Sequence, residues 1–192
     1  MKNTLLIIIL FTTIPVVSQI AGESTYQFLN ISSSPRQLAL GGKTITNFDY
    51  DVSQALYNPA VINSNMDNNL SINFFNYFAD ITYGSAAYAY TLDNRGNTLH
   101  FGVSYINYGD FEGYNEIGEP TNNFTGNETA ISVGYANKFN ELPIYYGINI
   151  KLITSKFEQY NSIGIGSDIG FYYKNDDLML DVALVFRNIG GQ

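Results

Sequence analysis

The sequence lacks cysteine and tryptophan and contains a single histidine. Without cysteine, a disulfide framework and a lipid anchor on a cysteine are both excluded, and a zinc site is hard to build. Charged residues make up only 14% of the chain, against about 25% in soluble domains. Asp and Glu outnumber Lys and Arg by 17 to 9. This balance argues against nucleic acid as a partner, because a binding face must neutralise phosphates.

The one long apolar run lies at the N-terminus, from Leu5 to Val17, shortly after Lys2. It is too short for a membrane-spanning helix, which needs about 20 residues, and no second run of that length follows. With Val16-Val17-Ser18 at its end, the run predicts a secretory signal peptide at 1–18, cleaved after Ser18, with Ala21 as a less favoured site. We therefore expect export and exclude a helical inner-membrane protein.

From about Leu70 onward, the sequence divides into seven segments in which apolar and small residues alternate, as in β-strands. Each segment is closed by Gly, Asn, Asp or Pro. The segments cover about residues 70–78, 83–92, 99–105, 130–136, 146–152, 163–171 and 178–187. One face is apolar and aromatic, whereas the other consists mainly of Gly, Ala, Ser and Asn.

The composition of this second face decides between two all-β folds. A soluble sandwich or lipocalin-like barrel would favour Lys, Glu and Thr on its solvent face. Repeated glycine weakens a strand unless something packs closely against it, as in a crowded lumen. The sequence therefore predicts an all-β fold, an antiparallel β-barrel in the bacterial outer membrane, which also accounts for the low charge. The soluble sandwich or lipocalin-like barrel stays as the alternative.

The connections between the segments alternate in length, as in outer-membrane barrels. Those at 93–97, 137–143 and 174–177 are short, and those at 108–128 and 155–162 are longer. The first strand then runs outward from the periplasm, although the connection at 79–82 is short for an outer loop. Known bacterial barrels of one chain have an even number of strands and at least eight. Because Ile189 to Gln192 indicates a turn, we expect the sequence to be part of a longer protein, with 70–192 holding the first seven strands.

Residues 19–69 do not alternate and are predicted to form a separate N-terminal unit. Asp51 can cap a helical turn from Val52 to Tyr57, which Asn58-Pro59 then stops. This unit is either a periplasmic arm or a hatch that plugs the lumen. We favour the hatch, because it would give the strand glycines a close neighbour.

Several motifs resemble the N-terminal region of the PorQ family of the type IX secretion system. They are Gly22-Glu23-Ser24-Thr25-Tyr26-Gln27-Phe28-Leu29, Arg36-Gln37 with Ala39-Leu40-Gly41-Gly42, Ala55-Leu56-Tyr57-Asn58-Pro59-Ala60, Tyr105-Ile106-Asn107-Tyr108-Gly109, Gly126-Asn127-Glu128, and the run from Lys151 to Tyr160. The Asn-Pro-Ala element alone is shared by the broader group of barrels similar to the fatty-acid transporter FadL. The combination of motifs is more specific and covers nearly the whole mature chain.

The resemblance implies a FadL-like barrel of about fourteen strands with an N-terminal hatch, of which this sequence holds about half. It also implies an anchoring role in the cell-surface attachment complex of the type IX secretion system. The implied partners are a PorZ-like surface protein, the PorU sortase, the PorV shuttle barrel and outer-membrane lipids. The alternative function is passage of a hydrophobic small molecule through the lumen.

The long connection between the third and fourth segments is the candidate docking loop for the surface partner. It follows three strands, so it emerges on the outer side if the N-terminus lies in the periplasm. Its aromatic, apolar and acidic residues have the composition of anchors within a polar rim. The candidate contact residues are Phe111, Tyr114, Glu116, Ile117 and Phe124. The alternative is a loop that folds over the mouth of the barrel as a lid.

The residues that could carry other chemistry are poorly placed for it. His100 and Ser104 share a strand face, with Asp168 or Asp181 as possible orienting acids, but four residues along a strand span about 13 Å, beyond hydrogen-bond reach. Calcium ligands are conceivable at two groups, but neither has EF-hand spacing. These groups are Asp49 with Asp51, and the loop residues Asp110, Glu112, Glu116 and Glu119. We expect no enzyme, cofactor or metal.

Aromatic residues near the strand ends are predicted to form girdles at the lipid interfaces. They are Tyr77, Phe78, Tyr83, Tyr108, Tyr145 and Tyr172.

Overall fold

The computed structural model describes residues 25–93, 96–139 and 142–192. The predicted signal peptide, both cleavage sites and the first residues of the predicted hatch lie outside this part of the chain.

Seven strands form one antiparallel sheet in which every strand pairs with its neighbour in sequence. The strands are β1 (Leu70–Asn76), β2 (Thr82–Thr91), β3 (Thr98–Phe111), β4 (Phe124–Lys138), β5 (Ile144–Phe157), β6 (Tyr160–Asn175) and β7 (Leu180–Gly191). The order is β1 to β7, so β1 and β7 form the two edges and are not paired with each other. The predicted all-β antiparallel class is therefore confirmed, whereas closure into a barrel stays a prediction.

The strands extend further than the alternating segments indicate. β6 has 16 residues, more than the roughly 9 to 11 needed to cross a bilayer. Gly190 and Gly191 belong to β7, where they pair with Gly166 and Ile165, so the turn predicted there is wrong. A register shift in the β6–β7 ladder, together with the left-handed backbone of Asn188 at φ 56°, lets the ladder continue past an irregular pair.

Two connections at one end of the sheet are tight hairpins. Between β1 and β2, Ala79 and Asp80 both have positive φ, and Ile81 N–H donates to Phe78 O at 3.2 Å. Two consecutive residues with positive φ are typical of the turns that match the twist of hairpin strands, and this turn explains the short connection. The connection predicted to be long at 155–162 is a tight hairpin too, because β5 and β6 stay paired up to Phe157 and Tyr160. The prediction of length there was wrong.

The same end of the sheet carries the β3–β4 connection, residues 112–123, and we call it the loop end. The β2–β3, β4–β5 and β6–β7 connections lie at the opposite end, because consecutive strands run antiparallel. The chain enters β1 from this opposite end.

The N-terminal segment, residues 25–69, contains short helical turns joined by extended stretches. The single α-helix is α1 (Pro35–Ala39), and 3₁₀ turns span Gln27–Asn30, Val52–Leu56, Pro59–Val61 and Ser64–Met66. Asp51 caps the turn that follows it by accepting from Ser53 N–H, as predicted, and Asn58 caps the next turn through Ala60 N–H. Within the described residues, no helix is both long and apolar enough to cross a membrane.

The two faces of the sheet differ in what covers them. One face, here called the outer face, leaves large apolar side chains exposed along all seven strands. Representative residues are Ile72, Tyr90, Phe101, Val133, Ile150, Ile165 and Leu184. The N-terminal segment covers the other, inner face and forms the hydrophobic core with it, for example by packing Phe28 against Tyr83, Ile106 and Ile153.

Candidate functional site

Strand glycines on the inner face lie in direct contact with the N-terminal segment. A Cβ atom on Gly147 would lie 2.2 Å from the backbone oxygen of Pro59, and one on Gly170 would lie 2.4 Å from the side-chain oxygen of Asn58. A Cβ atom on Gly102 would collide with Leu56 in the same way. The expectation that this unit supplies a close neighbour for the strand glycines is confirmed at these positions. The strand backbone and the N-terminal segment can approach each other this closely only because glycine has no side chain.

Polar side chains also tie the segment to the sheet. Ser85 on β2 donates to the backbone oxygen of Ser33 at 2.6 Å, and Asn149 on β5 donates to that of Ala55 at 2.8 Å. Both strand residues are buried. These bonds satisfy backbone groups of the irregular segment, which would otherwise be buried without partners.

A buried ion pair lies on the inner face between β5 and β6. Lys151 Nζ lies 2.7 Å from Asp168 Oδ2, with both side chains at most 5% exposed. Asn188 on β7 supports the pair, because its side-chain oxygen accepts from Lys151 at 2.9 Å and its backbone N–H donates to Asp168 at 2.9 Å. This pair was not predicted from the sequence. The sequence feature that could have predicted it is the presence of Lys151 and Asp168 on strand faces that consist mainly of Gly, Ala, Ser and Asn.

Arg187 on β7 is the second inner-face cation in this region. Its guanidinium carbon lies 3.6 Å from the ring centroid of Tyr57, a cation–π contact. Its Nη2 donates to the backbone oxygen of Leu29 at 2.9 Å. Its buried Nε has no hydrogen-bond partner among the described residues, and no described carboxylate lies within ion-pair distance of it.

The candidate catalytic residues are not brought together. His100 is fully buried on the inner face, and neither ring nitrogen has a hydrogen-bond partner among the described residues. Asp168, one of the two possible orienting acids, is instead bound to Lys151. Asp181, the other one, is exposed near the start of β7 and pairs with Lys174 across the ladder.

The candidate docking loop is an exposed extension of the β3–β4 hairpin. Phe111 and Phe124 lie in the last ladder pair and stack at its base, with ring centroids 5.2 Å apart. Further out, Tyr114 and Pro120 form a β-bridge. The tip is held by Asn115, whose side-chain oxygen accepts from the backbone N–H groups of Ile117 and Glu119 at 3.1 and 2.8 Å.

The predicted contact residues therefore lie on one ordered projection at the loop end. Tyr114 is 60% exposed, Ile117 is 79% exposed, and Glu116 is also exposed. Phe124 is half-buried because it packs on Phe111. The residues between Phe111 and Phe124 are exposed almost throughout, so they offer an accessible apolar and acidic surface.

The acidic residues considered for calcium have other positions. Asp49 and Asp51 both face Arg36, with 3.5 Å between Arg36 Nη1 and Asp51 Oδ2. Burial alone would raise the pKa of Asp49, but hydrogen bonds from Arg36 and from the backbone of Asp51 outweigh it and lower that pKa. The described part of the chain holds no group of three or more potential metal-binding side chains.

The predicted aromatic girdle is wrong for several of its members. Tyr77 and Phe78 are exposed near the β1–β2 turn, but Tyr83 and Tyr172 are buried on the inner face. Tyr172 stacks on Phe48 of the N-terminal segment with ring centroids 5.0 Å apart. Strand parity directs these tyrosines inward, where the segment supplies aromatic partners.

No protein-family model, no curated protein and no solved structure matches the chain. The resemblance to PorQ-family barrels therefore stays a prediction from the motifs. In the described part of the chain, seven strands form an antiparallel sheet whose inner face is covered by the N-terminal segment.

Proposed function

We propose that the chain forms part of an outer-membrane β-barrel that anchors a protein partner at its loop end. In this proposal it serves the attachment complex of the type IX secretion system and binds a PorZ-like surface protein. The observation that carries the proposal is the contrast between the exposed apolar outer face and the filled inner face.

The outer face supports the membrane part of the proposal. Monomeric soluble proteins rarely expose a contiguous apolar patch larger than a few hundred Å². Here apolar side chains stay exposed on every strand of the sheet, for instance Ile150 at 58% and Ile165 at 63%. In lipid, these apolar side chains would not be exposed to water. Both edges of the sheet must then be paired, because an unpaired backbone group in lipid costs several kcal/mol.

The filled inner face supports anchoring over conduction. The N-terminal segment contacts strands from β1 across to β7, through helical-turn contacts on β1, β2, β4, β5 and β6 and through Arg187 on β7. The cavity between the segment and the middle of the sheet measures only about 20 Å³, far below the 300 to 1,000 Å³ of typical ligand sites. A larger cavity of about 460 Å³ lies at the end opposite the loop end, next to the β2–β3 and β4–β5 connections, and does not extend along the inner face. Transport of a hydrophobic solute would therefore require the segment to leave the inner face.

The docking part of the proposal is tested on the loop tip. Tyr114→Ser combined with Ile117→Ser removes two exposed apolar side chains but keeps Asn115, which holds the turn. We expect the surface partner to be lost from washed cells and from the purified complex. The matched control is Leu178→Ser combined with Met179→Ser, two exposed apolar residues on a connection at the opposite end.

The control should retain the partner, and both variants should show the heat-modifiable migration of a folded barrel. Retention of the partner by the loop variant would refute docking through this tip. Loss of uptake of a hydrophobic solute in a deletion strain, without loss of surface protein, would favour transport instead.

A further inference from the structure

The 20 Å³ cavity between the N-terminal segment and the sheet has an unusual lining. Its charged residues are Lys151 and Arg187, both cationic, and its hydroxyl-bearing residues include Ser104 and Ser132. Among the residues that the structure describes, no carboxylate lines it. A cavity of this size admits one water molecule or one monatomic ion.

The two cations differ in how their charge is balanced. Lys151 is neutralised by Asp168 in the buried ion pair. Arg187 has the ring of Tyr57 and one backbone carbonyl, but no described carboxylate pairs with it. The other buried carboxylate of the inner face, Glu128, accepts from Tyr108 at 2.6 Å and does not line the cavity.

One hydrogen-bond donor at this site has no acceptor among the described residues. The Nε–H of Arg187 is buried and has no partner among the described residues. A buried charged donor without a partner costs several kcal/mol unless an acceptor meets it. A small anion would meet this donor and would also balance the charge of the guanidinium.

We propose that this cavity binds one halide-sized monovalent anion, chloride in ordinary media, between the N-terminal segment and the sheet. The anion accepts from the Arg187 guanidinium and lies beside the serine hydroxyls. The Lys151 ammonium, whose hydrogen bonds go to Asp168 and Asn188, adds positive charge to the wall. Because Leu29, Tyr57, β3 and β4 all contribute to the wall, a bound anion stabilises the contact between segment and sheet. This inference does not depend on the anchoring role.

The test is thermal unfolding of the purified protein in detergent, with chloride exchanged for gluconate at constant ionic strength. We expect the midpoint to rise with chloride and to keep rising with the logarithm of its concentration above the dissociation constant, because a ligand that binds only the folded state stabilises it by RT ln(1 + c/Kd) at a ligand concentration c. Arg187→Met should abolish the dependence. Arg36→Met, which removes an arginine outside the cavity, should keep it.

Crystals grown in bromide provide a second measurement that needs no variant. We expect an anomalous peak in the cavity within about 3.5 Å of Lys151 Nζ or Arg187 Nε, a charge-assisted contact distance with allowance for the larger ion. Equal midpoints in chloride and gluconate for the unsubstituted protein, or a cavity that holds water alone in bromide, would overturn the proposal.

Discussion

The two faces of the sheet are built from the same alternating strands but behave in opposite ways. On the outer face, Val133 and Ile150 oppose each other across β4 and β5 and both remain about half exposed. On the inner face of the same two strands, Ser132 and Lys151 oppose each other and both are buried. The apolar side is uncovered and the polar side is covered, the reverse of a water-soluble sheet. In our proposal, lipid replaces the missing cover on the outer face.

The largest effect is expected from breaking the inner face at its ion pair. Asp168→Ala leaves Lys151 buried without its carboxylate, and we expect a loss of about 3 to 5 kcal/mol of unfolding free energy. Denaturant titration of the protein in lipid vesicles measures it. The double variant Lys151→Met with Asp168→Leu should recover most of the loss, since no buried charge is left unpaired; a double variant as unstable as Asp168→Ala would contradict this account.

On the outer face, a charge should be costly even though the position is exposed. Val133→Arg near the middle of β4 should cost about 2 to 4 kcal/mol in vesicles, because the guanidinium enters the hydrocarbon layer. The control is Ile117→Arg on the loop tip, which is more exposed and should change stability by less than about 0.5 kcal/mol. If both substitutions have the same small effect, the outer face meets water.

A smaller loss of stability is expected when a glycine of the inner face is replaced by alanine than when a charge is introduced, and a glycine of the outer face should tolerate the same replacement. Gly147→Ala on the inner face directs a methyl group into the backbone of Pro59, and overpacking of this kind costs about 1 to 3 kcal/mol. Gly84→Ala on β2 is the matched control, because its Cβ atom would find nothing closer than 3.8 Å. Equal losses in unfolding experiments would mean that the segment does not pack against β5 as described.

The smallest effect concerns the rim of the N-terminal segment. Arg36→Ala removes the partner of Asp49, a partly exposed pair worth about 1 kcal/mol or less. The pKa of Asp49 is lowered in the folded state, so the stabilisation is present above its unfolded value of about 3.9 and is lost as the pH falls through the folded value. The difference between Arg36→Ala and the unsubstituted protein should therefore shrink when unfolding is measured at pH 3 rather than pH 7. A difference that stays constant would assign the effect to packing.

The sequence predicts the strands and their facing well because alternation is a local property. All seven strands exist, and the sides assigned to residues such as Phe101 and Ile165 agree with their exposure. The strand ends could not be predicted, because residues such as Asn107 and Asn161 lie in β3 and β6 through pairing with neighbouring strands. The tight hairpin at Glu158 was not predicted either, because its φ of 54° is unusual for glutamate and no turn residue marks the position.

The contacts between the N-terminal segment and the sheet were predictable only in outline. The glycines on the inner face indicated a close neighbour, and the caps at Asp51 and Asn58 follow from their residue types. The contacts between Arg187 and Tyr57, or between Tyr172 and Phe48, join residues more than 120 positions apart. No local pattern in the sequence encodes them.

The absence of cysteine makes a direct measurement of the outer face possible, because each introduced cysteine is the only one in the chain. Spin labels at Val133→Cys and Ile117→Cys, in protein reconstituted into vesicles, report collisions with oxygen and with a water-soluble nickel complex. We predict that the label at 133 meets oxygen and is shielded from nickel, whereas the label at 117 meets nickel freely. A label at 133 that is as accessible to nickel as the one at 117 would contradict the central claim that lipid covers the outer face of the sheet.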